Sequence, residues 1–454
     1  MTATELPLDR SPKSATRCGR SAGLWGLSVF LVAAAVFGFD LQSERPFADE
    51  SAYYSQSYFA RLYAEGRWND PAWLTYPAFD LPPLPKYLIG AALAADGIKT
   101  PGPREAFAWY RNTSMQWFEP AGALTVARLP SVLLGAVGCL AVYGLGVLVS
   151  GRALGVVAAL LLTANPLYRL LARRAMSDMP CEAFLLLTLL LGLLVWSRML
   201  AGRWSFTGTI VGAGSGVCAG LSLSCKLSGS LSLMVLATWV VLAIALTGPS
   251  KRSLGFAVSM LLAVAAASVT LVALNPFLTA HPTSRVPQVI PEIEKASVLE
   301  RARRMADLRL EVARGQKDLF PHNALWTASD KASSAAVQGF GRFGPFGPSH
   351  SDSTRRYDAA QDWGALIWLP WTALGAVWAF LQGRTQWRAG VPPTSWALLV
   401  QFVVTLAVVT AYLPMAWDRY FLSVQAPASL MAAGAAVAVA NRVIQAAFPR
   451  PKGD

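Results

Sequence analysis

Charge is scarce in this sequence. Asp, Glu, Lys and Arg make up 14% of its 454 residues, against about 25% in a typical soluble domain. The scarcity is concentrated in apolar runs long enough to cross a bilayer, which takes ~20 helical residues. An ordinary soluble enzyme is excluded. Cysteine is sparse too: Cys18, Cys139, Cys181, Cys218 and Cys225 lie mostly inside apolar runs, and no CxxC pair occurs. That excludes a disulfide framework. The histidines are only His281, His322 and His350, with no HExxH spacing, so a dedicated zinc site has no support. The net charge of +13 does not mark a nucleic-acid partner. The basic residues sit at helix ends and in loops rather than on one soluble face.

The apolar runs read as spans at roughly 22–40, 128–149, 153–170, 180–197, 206–224, 227–247, 254–274, 365–382, 395–414 and 421–441. The first follows a basic stretch (Arg10, Lys13, Arg17, Arg20) without a small-residue cleavage site, so it reads as an uncleaved helix. The expected fold class is an all-α polytopic membrane protein of about ten transmembrane helices. The short connections carry Arg152, Arg198, Arg203, Lys251, Arg252, Arg384 and Arg388 and no acid. By the positive-inside rule these are cytoplasmic, as are both tails, 1–21 and 442–454. Only Glu5, Asp9 and Asp454 then fall on that side, and the other 23 of the 26 acids lie outside or at outer helix ends. Acid–base chemistry is therefore expected on the non-cytoplasmic face. Trp25, Trp196, Trp204, Trp368, Trp387 and Trp396 fall near span ends, where amphipathic rings favour the headgroup level.

Two stretches between spans, 41–127 and 276–364, are too long for turns. In the first, Ser51–Ala64 has aromatics at helical spacing, Pro82-Pro83 breaks the chain, and Leu84–Ala95 is an apolar run too short to span. Both segments are expected as helices lying on the outer membrane surface. In the second, Ile293–Lys317 reads as an amphipathic helix and Gly339–Pro348 as a Gly/Pro/Phe-rich loop.

Polar residues recur at outer span ends. Asp49-Glu50 offers adjacent carboxylates for general-base work or for a divalent cation, the one metal site the sequence suggests; a helix N-cap at Asp49 is the bland alternative. Asp178 stands in ARRAMSDMP before Pro180, where it too can cap. Lys86, Arg128, Arg173, Arg174, Lys226 and Arg419 are cations at one expected depth. Snorkelling accounts for any one of them. Converging, they would form a cationic funnel for a lipid-linked phosphate, with Tyr53, Tyr54, Tyr87 and Tyr420 lining the substrate cavity.

At these residues the chain resembles the GT-C membrane glycosyltransferases of the protein O-mannosyltransferase and aminoarabinose-transferase type. The matching pieces are FADESAYYSQSYFARLYAEG, DLPPLPKYLIG, ARLPSVLLG, ARRAMSDMP, CKLSG, LNPF and DRYFL, in family order across most of the membrane part. The chain departs at Leu81, where the eukaryotic mannosyltransferases have His and the aminoarabinose type Lys. The resemblance implies a polyprenyl-phosphate sugar donor, a protein or lipid/glycan acceptor, and a bacterial inner-membrane home with the active site facing outward. It implies Asp49 as base with Glu50 beside it, Asp178 in the same cavity, and Lys86 among the groups holding the donor phosphate. No cofactor is required, because lipid phosphate leaves as an anion. A transporter or lipid flippase is the rival, and it calls for helices broken at the midplane and a repeated architecture; a scaffold would tolerate neutralised outer charges.

Overall fold

The computed structural model describes residues 12–111, 122–203, 206–284, 286–340 and 363–448. Among them the chain is helical, with no β-structure beyond two isolated bridges. Helix α1 (Pro12–Gly38) leads to five short helices: α2 (Ala48–Ser55), α3 (Phe59–Ala64), α4 (Tyr76–Asp80), α5 (Pro83–Ala95) and α6 (Pro103–Arg111). A run of mostly long helices follows: α7 (Ala123–Ser150), α8 (Arg152–Ala164), α9 (Pro166–Ala172), α10 (Asp178–Leu200), α11 (Phe206–Cys225), α12 (Ser230–Thr247) and α13 (Lys251–Leu274). Then come α14 (Pro276–Thr279), α15 (Pro291–Glu294), α16 (Val298–Leu319) and α17 (Ala328–Phe340), and finally α18 (Trp363–Arg388), α19 (Thr394–Tyr412) and α20 (Leu422–Ala447).

Every span expected from the sequence falls on a helix. Among the described residues seven are long and apolar enough to cross a membrane, or eight if α8 and α9 count as one bent span. That pair was expected as a single span at 153–170. It turns by 70° because Asn165 precedes a proline, which disfavours the helical region; Asn165 is extended, at φ −65° and ψ 121°. The break is self-satisfied. Asn165 Oδ1 accepts from the Tyr168 N–H at 3.0 Å, and Nδ2 donates to Gln425 at 2.8 Å.

Small residues let the long helices touch backbone to backbone. A Cβ on Gly216 of α11 would stand 2.1 Å from the Ala263 carbonyl of α13, and one on Gly375 of α18 would stand 2.0 Å from that of Met431 in α20. Among the described residues the long connections, 39–111 and 275–340, share one end of the bundle, called here the loop face, and meet through a bridge between Thr75 and Val289. Among the described residues the other end holds short connections.

The first long connection carries both expected helical segments. Ser51–Ala64 breaks at Gln56–Tyr58 into α2 and α3, and of its five aromatics Tyr53, Tyr54, Tyr58 and Phe59 are buried and Tyr63 partly so. Helix α5 starts at Pro83, suited to a first helical turn, and packs on α3 so closely that a Cβ on Gly90 would meet the Ala60 side chain of α3 at 2.5 Å. These helices pack apolar residues against one another and against the bundle. In the second connection α16 realises the expected amphipathic helix. Its N-terminus is a capping box: Ser297 Oγ accepts from the Glu300 N–H and Glu300 accepts from the Ser297 N–H. Buried Arg301 anchors it by donating to the carbonyls of Phe277, Ala280, Glu294 and Ala296. Of the expected Gly/Pro/Phe loop, Gly339 and Phe340 end α17, and 341–348 lie outside the described residues.

Candidate active site

The segment between α1 and α2 is clamped by two arginines from elsewhere in the chain. Arg173 Nη1 donates to the carbonyls of Phe37 and Phe39, and Nη2 to that of Asp40 at 2.7 Å, while Nε pairs with Glu44 at 3.3 Å. These are the orphan carbonyls at the end of α1. Asp40 is left-handed, with φ 50°. Arg128 donates to the carbonyls of Leu41, Glu44 and Arg45, and grips Glu50 bidentately at 2.8 and 2.8 Å. Glu50 also accepts from the Phe47 N–H at 2.9 Å and the Ala175 N–H at 2.8 Å. Four donors fill its carboxylate, and the Arg128 and Glu50 side chains are 1% and 0% exposed.

The effect is to fix the first turn of α2 and present its second residue, Asp49, to a cavity of about 560 Å³ at the loop face. Asp49 is therefore inside the helix, not at its N-cap. It forms an ion pair with Arg419, from the 3₁₀ turn that leads into α20. Asp178, the first residue of α10, pairs with Lys226 at 2.7 Å. Burial alone would lower the Lys226 ammonium, but Asp178 overrides it and holds the pKa above its ordinary value. Tyr53 and Tyr420 complete this wall; burial pushes the Tyr53 phenol up.

Thus Asp49, Asp178, Lys226, Arg419, Tyr53 and Tyr420 come together in one cavity. The other expected site residues do not line it. Arg128 and Arg173 are spent on carbonyls, and Glu50 on Arg128. Arg174 stacks over the Phe47 ring at 4.3 Å. Lys86 is buried, donates to the Pro77 carbonyl at 2.7 Å and lies over the Phe59 ring at 4.8 Å. Burial brings its ammonium well below the ordinary lysine value. Tyr54 sits in a small cluster with Leu93 and Met176. Tyr87 donates to the Leu274 carbonyl at 3.0 Å and stacks on Tyr63. The six-cation funnel is thus not formed. Nor does Asp49-Glu50 fit a cation as a pair, since Glu50 has no oxygen to spare, and the described residues hold no cluster of three His, Cys, Asp or Glu side chains suited to a metal.

Asp80, Glu182, Arg309 and Gln316 of the wall were missed in the sequence. Arg309, on α16, pairs with Asp80 at 3.1 Å and brings that helix over the cavity as a roof; Tyr420 also donates to Gln316 of α16 at 3.2 Å. Glu182 lies one turn beyond Asp178 on α10. It was legible as an ionisable residue inside an apolar run, which is a functional signal in a membrane helix. The opposite wall is apolar: Leu231 and Met234 of α12 face Val408, Val409 and Tyr412 of α19, and Met234 and Tyr412 are half-exposed. The cavity is therefore amphipathic, with ion pairs on one side and aliphatic side chains on the other.

The fold of the chain resembles that of solved structures. The oligosaccharyltransferase of Archaeoglobus fulgidus, tethered to an acceptor peptide containing the NVT sequon, matches with a TM-score of 0.57 at 14% identity, over 95% of this chain and 52% of that one. The chain has the GT-C fold. A second structure with this fold, the same archaeal enzyme (AglB) with an inhibitory peptide and a dolichol-phosphate, matches with a TM-score of 0.56 at 16% identity, over 94% of this chain and 52% of that one. ArnT from Cupriavidus metallidurans, in the apo state, gives 0.50 at 16% identity, over 92% and 60%. The chain spans about half to three-fifths of the length of those proteins. No protein-family model and no curated protein matches its sequence. With this fold and its apolar helices, the chain is an integral membrane protein.

Proposed function

We propose that the protein is a membrane glycosyltransferase that moves a sugar from a polyprenyl-phosphate donor to a hydroxyl of a protein, lipid or glycan acceptor, with inversion. The observation that carries this reading is the amphipathic cavity itself, in which carboxylate–cation pairs face an aliphatic wall. An isoprenoid chain suits the aliphatic side between α12 and α19, and its phosphate suits Lys226 and Arg419, with Arg309 as a third cation above them. Asp49 takes the proton of the acceptor hydroxyl. The acceptor oxygen then bonds to the anomeric carbon as the bond from that carbon to the phosphate oxygen breaks. The polyprenyl phosphate leaves with the electron pair, and the two cations stabilise the charge that develops on it. Asp178 keeps Lys226 charged and in place.

Each cation of the cavity wall, Lys226, Arg309 and Arg419, has a carboxylate partner. A bound phosphate would compete with Asp49 for Arg419 and release that carboxylate as a base when the donor is present. The loop face is assigned to the non-cytoplasmic side from the basic short connections at the opposite end. A flippase calls for a broken helix that forms a midplane site. The break between α8 and α9 has its polar groups satisfied internally and lies off the cavity wall, which favours the enzyme.

The test uses purified protein in nanodiscs, supplied with radiolabelled undecaprenyl-phosphate glucose, mannose, galactose and 4-amino-4-deoxyarabinose and a membrane extract as acceptor source. Transfer of label, lost in Asp49→Asn, is expected. If no donor is consumed and undecaprenyl phosphate binds the parent no tighter than Arg419→Ala, the reading is wrong.

A further inference from the structure

The reaction just described leaves one buried acid of the cavity unused. Glu182 stands four residues after Asp178 on α10, about 6 Å farther along the helix axis. It is 1% exposed and yet lines the cavity. Its Oε2 accepts from the Ser423 hydroxyl of α20 at 2.7 Å. No protein group among the described residues donates to its Oε1. The other acids of the cavity wall, Asp49, Asp80 and Asp178, each have a cation; Glu182 has none among the described residues. A buried carboxylate with one oxygen unpaired is unfavourable in the free protein. A ligand that brings a hydrogen-bond donor to that oxygen recovers the deficit, and a site built this way rejects a ligand that lacks the donor.

We propose that Glu182 is the specificity-determining acceptor of the cavity floor, and that its free oxygen receives a hydroxyl of the sugar on the lipid-linked donor. The inference rests on the donor reading given above. With the phosphate at Lys226 and Arg419, the anomeric carbon lies beside Asp49 and Asp178. A hydroxyl across the pyranose ring then falls about one helical turn deeper, at the level of Glu182. The isoprenoid chain does not compete for this place, because the aliphatic wall belongs to α12 and α19. Glu182 takes no part in bond making. It fixes which sugar sits with its anomeric carbon in register with Asp49.

Binding to protein in nanodiscs separates the two ideas. The ligands are undecaprenyl phosphate and the glucose, mannose and galactose derivatives of undecaprenyl phosphate. The parent is expected to bind at least one sugar-bearing lipid ~10- to 100-fold tighter than the bare lipid phosphate, the worth of a hydrogen bond to a charged group. Glu182→Gln, and Glu182→Asp as a variant that keeps the charge but draws it back, should lose most of that gain and bind undecaprenyl phosphate as the parent does. Removing one ring hydroxyl from the preferred donor should reduce parent binding to the level of Glu182→Gln and change nothing further in the variant. A parent that binds bare and sugar-bearing lipid equally overturns the role of Glu182 alone. So does a variant that weakens both ligands in parallel, which marks a structural residue, or one that keeps the full gain. A parent that binds none of the four lipids overturns the donor reading and this inference with it.

Discussion

Asp49→Asn replaces the proposed base with an amide of nearly the same shape. The structural loss is the ion pair with Arg419. The Asp49 and Arg419 side chains are 38% and 22% exposed, so solvent screens the pair and its contribution to stability is about 0–1 kcal/mol. Helix α2 keeps its place, because its anchor to Arg128, Phe47 and Ala175 is Glu50 and not Asp49. The chemical loss is much larger. A missing general base costs ~100- to 10,000-fold, about 2.7–5.4 kcal/mol at 1.36 kcal/mol per decade. The variant should express, insert and unfold almost as the parent does while turnover all but disappears. Donor binding supplies a second readout with the opposite sign. Asn no longer competes as an anion for Arg419, so undecaprenyl-phosphate-linked donor should bind as tightly as before or tighter. The measurements are sugar transfer and donor affinity at matched protein levels, with a thermal melt of each preparation. Transfer near the parental rate would remove Asp49 as the base, whatever the binding data show.

Glu50→Gln should behave in the reverse way. Arg128 would remain buried without its countercharge, at a cost of about 3–5 kcal/mol, so yield and melting temperature should fall sharply; an unchanged melt would refute the clamp. Lys86→Met exchanges a buried ammonium for a side chain of similar length in an apolar setting. It should melt at or near the parental temperature and keep parental donor affinity, and a tenfold weaker donor would put Lys86 back among the phosphate ligands. For topology, cysteines at the exposed positions Ala201 and Ser284 in a cysteine-free background should report opposite sides. A membrane-impermeant thiol reagent should label position 284 in intact cells and position 201 only after permeabilisation, and the reversed pattern would turn the assigned face around.

The long helices were legible because bilayer thickness sets a run length that composition alone reveals. Charge and expected depth were legible in the same way, which is why six cations looked like one group. Partners were not legible. Nothing in the local sequence of Arg128 or Arg173 tells that each meets carbonyls about 80 to 135 residues away. A cation at a span end can snorkel, bind a ligand or close a neighbouring helix terminus, and only packing decides between these. The bend at Asn165-Pro166 did carry a local signal, since the residue before proline leaves the helical region. Glu182 carried one too: a carboxylate inside LLL-rich sequence is costly unless something uses it. The roof was half legible. The amphipathic pattern gave α16, but not that Arg309 and Gln316 would face Asp80 and Tyr420.

The pairing of Asp49 with Arg419 joins residues 370 positions apart. A ribosome makes the first of them long before the second. Until α20 is inserted, a growing chain carries a clamped carboxylate with no cation opposite and no closed cavity around it. Activity should therefore appear all at once, late in synthesis, and a chain that stops before Asp418 should insert its early helices and remain inert.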